Sequence, residues 1–209
     1  MIVGFEDYKS NYKFKVSGVI HVGAHTGQEW QEYIDNFGEI ETHWFEPIPD
    51  VYKQLENNLS DKPKAYLYNI ALGDGDFIEK MYVDNGNEGQ SSSILKPKEV
   101  RSQFPHIKFE ESDKIEINIS KLDNYKLSNC NLLALDTQGY ELKVLKGSIE
   151  TLNNIDYIFT EFNTIEMYEG CPTLDDLDSF LFPLGFERVE TWYTSSNWGD
   201  AFYIKSNKR

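Results

Sequence analysis

The chain has 209 residues, 40% of them hydrophobic, with 13 Tyr and 13 Phe; that is enough apolar material for a sizeable core, and it excludes a disordered chain. Asp and Glu number 35 against 20 Lys and Arg, a formal charge of −15; most of it serves solubility, but it argues against nucleic acid and anionic membranes as partners and favours a neutral or cationic small molecule. Two cysteines, Cys130 and Cys171, are too few for a disulfide framework or a zinc site and point to a reduced, cytoplasmic setting, in keeping with an N-terminal MIVGFEDYKS that has no continuous apolar leader.

The elements alternate. GVIHVGA (18–24) reads as a buried strand, and Gln28 to Phe37 as a helix with Trp30, Tyr33, Ile34 and Phe37 on one face. THWFEP is a second strand. PIPDVYKQLENNL is a second helix, started by Pro49 and Asp50, with Val51, Leu55 and Leu59 inward. KAYLYNIAL is a third strand. Strand, helix, strand, helix, strand predicts a parallel sheet with right-handed crossovers.

Residues 72–130 break the pattern. DFIEKMYVD and KIEINISKL alternate like half-exposed strands and are expected to pair with each other. The long polar segment between them, NGNEGQSSSILKPKEVRSQFPH, is expected to be a lid over a substrate or cofactor. The alternation then resumes with NLLALD as a buried strand. GYELKVLKGSIETL follows as a helix with Leu142, Leu145, Ile149 and Leu152 inward, then DYIFTEF as a buried strand. TLDDLDSFLFPLGF is a helix capped by Thr173, and ERVETWY and DAFYIK form a closing hairpin around TSSNWG. The whole chain, 1–209, is expected to be one domain.

In such a sheet ligands bind beyond the carboxyl ends of the strands, at the turn after the first strand. Here that turn is Gly23-Ala24-His25-Thr26-Gly27. Glycines allow close approach, and the following helix offers free N–H groups. Glu46 ends the second strand, 23 residues beyond Gly23, near the spacing of about 20 at which an acid holds a ribose diol. An adenosine-containing cofactor is therefore expected. A dinucleotide needs a Gly-x-Gly-x-x-Gly turn for its pyrophosphate; this turn is Gly-x-x-x-Gly and has no basic neighbour. S-adenosylmethionine carries no phosphate and fits better, while a nicotinamide oxidoreductase is the rival reading.

VIHVGAHTGQE, WFEP, NIALG, QSSSIL and, most specifically, LALDTQGYELKVLKGS followed by IFTEFN resemble the FkbM family of methyltransferases, over residues 18–187. The resemblance implies an α/β, Rossmann-like class I methyltransferase fold, with a mostly parallel seven-stranded sheet and an antiparallel terminal strand. It also implies S-adenosylmethionine as donor and O-methylation of a hydroxyl on a sugar, glycan or related natural product. The sequence departs from the family at His21, where members carry an acid that holds the donor's amino-acid end. A carbohydrate-binding domain on a decayed methyltransferase fold is the non-catalytic alternative.

On this basis His21, Gly23, Ala24, His25, Thr26, Gly27, Glu46, Ala71, Ser92 and Asp136 are expected against the donor, Ala71 through the resemblance. Asp136 and Glu161 end buried strands, where a carboxylate must be paired or face a cleft. With His25 they are the candidate catalytic groups. Asp136, Glu161 and Asn163 are also similar to the magnesium site of catechol-type O-methyltransferases, which implies Mg²⁺ or Mn²⁺ there. Gln138 and Tyr140 open a helix at this edge, and Trp192 and Trp198 flank the last hairpin turn. These four are expected to meet the acceptor.

Overall fold

The computed structural model of the chain describes residue 12 and residues 15–208; MIVGFEDYKS lies outside them. Five strands, β1 (Gly18–Val22), β2 (Glu41–Phe45), β3 (Ala65–Tyr68), β7 (Leu132–Leu135) and β8 (Tyr157–Asn163), run parallel. The hairpin of β9 (Phe186–Tyr193) and β10 (Trp198–Lys205) completes the sheet, in the order β3-β2-β1-β7-β8-β10-β9 with β10 antiparallel to both neighbours. The chain steps outward from β1 to β3 and then returns to the other side of β1. The carboxyl ends of β1 and β7 therefore flank the crevice where the order reverses.

Alternation along β1 sends Val19 to one face and Ile20 and Val22 to the other, because successive side chains of a strand point to opposite faces. On the Val19 side pack α1 (Trp30–Phe37) and α2 (Pro49–Leu59), through Tyr33, Leu55 and Leu59. On the Ile20 side pack α4 (Glu141–Lys146) and α5 (Leu174–Leu181), through Val144, Leu145, Leu177 and Leu181. In α2 the buried residues are Val51, Leu55 and Leu59 with Pro49 in the first turn, as periodicity predicts. In α5, Thr173 and Asp176 form the expected cap as a reciprocal box. No described helix is long and apolar enough to cross a membrane.

Three expectations change. Helix α4 stops at Lys146, because Gly147 crosses the chain at Gly73 so closely that a Cβ would lie 1.8 Å from the Gly73 carbonyl oxygen. Ile149, expected inward, is consequently 46% exposed. The third strand is two, β3 and β4 (Ala71–Leu72); between them the Asn69 side-chain amide donates to the carbonyls of Glu46 and Pro47, turning the chain off the main sheet. The predicted pair, β5 (Phe77–Met81) and β6 (Ile115–Ser120), is antiparallel as expected, but joins β4 in a separate sheet of order β4-β6-β5.

The segment between β5 and β6 packs against the rest of the chain. Tyr82 bridges Ser93, and Pro97 bridges Tyr168. Helix α3 (Val100–Gln103) contributes Val100 to a small core with Ile107, Phe109, Met167 and Tyr168. This insertion and the loop after β8 together roof the crevice.

Candidate active site

The chain leaves β1 through Gly23, whose φ of 83° is left-handed. Glycine is also required by contact, since a Cβ there would stand 1.8 Å from the Asp136 carbonyl oxygen. The N–H groups of Gly23 and Ala24 both donate to the Phe45 carbonyl at 3.0 Å, tying the turn to the end of β2. His25, also left-handed, directs its N–H onto Glu46 Oε2 at 2.9 Å, and the Ile48 N–H reaches Oε1 at 2.8 Å. Burial pushes the Glu46 carboxyl up to about 7 against the pull of those two N–H groups. Each oxygen keeps a lone pair for a ligand hydroxyl.

At the other end of the crevice Thr160 is registered on Leu135, which brings Asp136 and Glu161 side by side. One nitrogen joins them: Gln138 Nε2 donates to Asp136 Oδ1 at 2.8 Å and to Glu161 Oε1 at 3.1 Å. Burial, then the charges of Asp136, Glu141 and Asp200, holds the Glu161 carboxyl well above the ordinary range. The loop carrying Gln138 is shaped by Glu141. Its Oε1 accepts from the Thr137 N–H, the Thr137 hydroxyl and the Gly139 N–H at 3.0–3.1 Å, and burial raises its carboxyl to about 7. Glu141 explains the tight local sequence DTQGYE.

A cavity of about 350 Å³ joins the two ends, within the size range of small-molecule sites, about 300–1,000 Å³. Its wall includes Gly23, Ala24, His25 and Glu46 at one end and Asp136, Gln138, Glu161 and Asn163 at the other. Ala71, Ser92, Tyr140 and Trp198 lie between or beside them, and no lysine or arginine lines it among the described residues.

Four expected residues do not line the cavity. Strand alternation sends His21 beneath α1, where its Nδ1 lies 2.8 Å from the Tyr33 hydroxyl and its ring stacks on Trp44 at 4.9 Å. Burial lowers its pKa and keeps it a neutral core residue. Gly27 faces α2, where a Cβ would meet Leu59 Cδ1 at 2.6 Å, and the Thr26 carbonyl accepts from the Asn58 amide. Trp192 stacks on Phe159 at 6.4 Å in the core. The His25 ring lines the cavity, but its Nε2 is 2.9 Å from the Glu88 carbonyl oxygen. A carbonyl only accepts, so this nitrogen carries the proton, and Nδ1 faces the Gln28 amide at 3.5 Å. His25 clasps the turn to the roof, away from the acid pair.

The position between Asp136 and Glu161 does not fit a divalent cation, because the Gln138 amide presents N–H donors there rather than an oxygen ligand.

The methyltransferase FkbM domain model matches residues 21–188. Over 186 residues the chain is 26% identical to the 2-O-methyltransferase NoeI of Sinorhizobium fredii (strain NBRC 101917 / NGR234), covering 81% of this chain and 76% of that protein. Two solved structures share the fold. Magnesium protoporphyrin IX methyltransferase from Synechocystis PCC 6803, with bound S-adenosylmethionine, is 10% identical with a TM-score of 0.51, covering 96% of this chain and 74% of the other. A S-adenosylmethionine-dependent methyltransferase from Leishmania major is 12% identical with a TM-score of 0.53, covering 97% and 70%. With a family match over most of its length and the glycine turn, Glu46 and the DTQGYE loop gathered at one sheet edge, the chain belongs to the FkbM family of S-adenosylmethionine-dependent methyltransferases.

Proposed function

We propose that this methyltransferase acts on a hydroxyl of a sugar, glycan or related natural product. The observation that carries the reading is the continuous cavity running from Glu46 to the Asp136–Glu161 pair. Glu46 takes the donor's ribose hydroxyls, with Gly23, Ala24 and His25 against its backbone side and Ala71 and Ser92 along its length. The sulfonium then sits near Asp136. Glu161 is the general base: it lines the cavity beside Asp136, and the N–H that Gln138 Nε2 directs onto its Oε1 favours the ionised form that takes the hydroxyl proton. The acceptor oxygen attacks the methyl carbon, the C–S bond breaks toward sulfur, and S-adenosylhomocysteine leaves while the hydroxyl proton rests on Glu161. Alignment of oxygen, carbon and sulfur supplies much of the acceleration.

The sugar assignment is supported by Trp198, an aromatic wall beside Asn163, and by the name of the 2-O-methyltransferase relative. With no lysine or arginine on the cavity wall among the described residues, the acceptor carries no phosphate at the reacting end, which also disfavours a nicotinamide dinucleotide as cofactor. Two free cysteines are in keeping with a cytoplasmic setting.

Calorimetry with S-adenosylmethionine, then a screen for S-adenosylhomocysteine release with free sugars, glycan fragments and nucleotide sugars, tests this reading. Donor binding and turnover on an unphosphorylated sugar are expected. Folded protein that ignores millimolar donor overturns it, and glycan binding without product would favour a non-catalytic carbohydrate module.

A further inference from the structure

Tyr168 is 1% exposed, and its hydroxyl points at the amide that bridges the acid pair. The two ends of an amide have nearly the same shape and opposite hydrogen-bonding character. Gln138 Nε2 carries two protons, and Asp136 Oδ1 and Glu161 Oε1 take one each. Gln138 Oε1 can only accept, and the Tyr168 hydroxyl lies 3.0 Å from it. A reversed amide would set its carbonyl oxygen against two carboxylates. The main chain of Gln138 is fixed independently, with φ at 53° and the Ser93 hydroxyl donating to its carbonyl at 2.7 Å. These main-chain contacts leave the sense of the side-chain amide to be set by its own partners.

We propose that Tyr168 is a positioning residue: by donating to Gln138 Oε1 it holds the Gln138 amide with both N–H groups on the Asp136–Glu161 pair, filling with a neutral donor the place a divalent cation would take. The same hydroxyl lies 2.9 Å from the Ser91 carbonyl of the roof. It has one proton for two acceptors, so the seating of the roof and the orientation of the amide are linked through one group. Glu161 is faced by Asp136 from the end of β7, Glu141 from α4 and Asp200 from β10, all acids. Tyr168 itself feels Glu161, Asp136, Glu141 and Asp84, and burial first, then those charges, keeps its phenol protonated and able to donate. Among these negative neighbours the Gln138 amide is what separates Asp136 from Glu161, and its sense decides whether the pair is relieved or aggravated.

This inference rests on the methyl-transfer reading for its relevance, but its test needs neither donor nor acceptor. Protein labelled with ¹⁵N at glutamine side chains is followed by NMR, with the Gln138 resonance assigned by its loss in Gln138→Glu. In the wild type, the Gln138 NH₂ protons are expected to exchange slowly with water. They should also titrate with the acid pair and stay unmoved by millimolar Mg²⁺. In Tyr168→Phe exchange should quicken by about tenfold, as expected for loss of one buried hydrogen bond, and the titration midpoint should rise. An unchanged exchange rate and midpoint in folded Tyr168→Phe overturns the proposal. If that variant does not fold, the wild type decides: a Gln138 amide that exchanges freely, or that Mg²⁺ displaces, overturns it equally. Failure here leaves donor binding and turnover to be judged on their own assay.

Discussion

Gly23 and Asp136 meet backbone to backbone: a Cβ on the glycine would lie 1.8 Å from the Asp136 carbonyl oxygen. The glycine turn after β1 and the end of β7 are therefore one joint. Gly23→Ala is expected to cost roughly 3 kcal/mol or more, because the obstacle is main chain and cannot swing aside. Gly38 is a control with a similar φ of 77°, and a methyl group added there would meet nothing within 4 Å. Gly38→Ala should cost only about 1–2 kcal/mol, the ordinary penalty of a left-handed residue. Urea unfolding of both variants checks this, and equal costs would show that the close approach contributes nothing.

With Glu46 on the donor's ribose, as proposed, donor binding is expected to depend on pH. The Glu46 carboxyl titrates at about 7 in the free protein because it is buried, whereas ribose hydroxyls need the ionised form as acceptor. Affinity for S-adenosylmethionine should therefore fall as pH drops below about 7, approaching tenfold per unit, with a proton released on binding near pH 6. Calorimetry in two buffers of different ionisation enthalpy measures that proton. Glu46→Gln should lose the pH dependence and bind the donor at least about tenfold more weakly.

Removing the proposed base should spare the fold. Glu161→Gln is expected to lower kcat by about 10²–10⁴ while donor affinity changes only a few-fold, since Glu46 and the glycine turn sit at the far end of the cavity. Asp136→Asn should also abolish turnover with its strand intact, held by Leu132, Leu133 and Leu135. Full activity in EDTA is expected, because the Gln138 amide occupies the space between the acids. A loss in EDTA restored by Mg²⁺ or Mn²⁺ would show the opposite.

Glu141 offers a stabilising substitution with a pH signature. Its carboxyl titrates at about 7 when folded, against an ordinary value of 4.5. A raised carboxyl contributes stability that is fully present below about pH 4.5 and is lost as pH rises through about 7. The donors of Thr137 and Gly139 all fall on Oε1, and a glutamine retains that oxygen. Glu141→Gln should come close to the wild type near pH 4 and exceed it by roughly 3 kcal/mol at about pH 8.5. Thermal or urea unfolding at the two pH values reads the difference, and a variant weaker at both would show that Oε2 matters more than its charge.

The sheet was legible because burial leaves its mark on local sequence. VIHV, LLAL and YIFTEF could only be central strands, and the acids closing them had to face a cleft. Glu46, Asp136 and Glu161 follow from that logic. The failures have a shared cause: each turned on a partner distant in sequence. Alternation alone does not say which face of the sheet lies under α1, so His21 gave no local sign of its partner Tyr33. Trp192 and Trp198 are both aromatic beside one turn, but only the register of β10 on β8 sets Trp198 beside Asn163. Gly147 ends α4 because of Gly73, and Tyr168 belongs to the site because of Gln138. Glu141 did have a signal, an acid just inside a helix start after a glycine, but helix-start acids are usually solvated.

The roof is clasped to the loop after β8 by Lys96 on Glu169 at 2.6 Å and by Lys98 on Glu166, half-exposed pairs on the outside of the small core. Such pairs are weak, about 0–1 kcal/mol, and salt screens them. Under the proposed function, turnover would have two separate clocks. One, for the methyl step, would be wound deep in the crevice, where added salt hardly reaches. The other would time the passage of fresh and spent donor, and it would run at the surface. Added salt should hasten repeated cycles while a single cycle from preloaded protein keeps its pace.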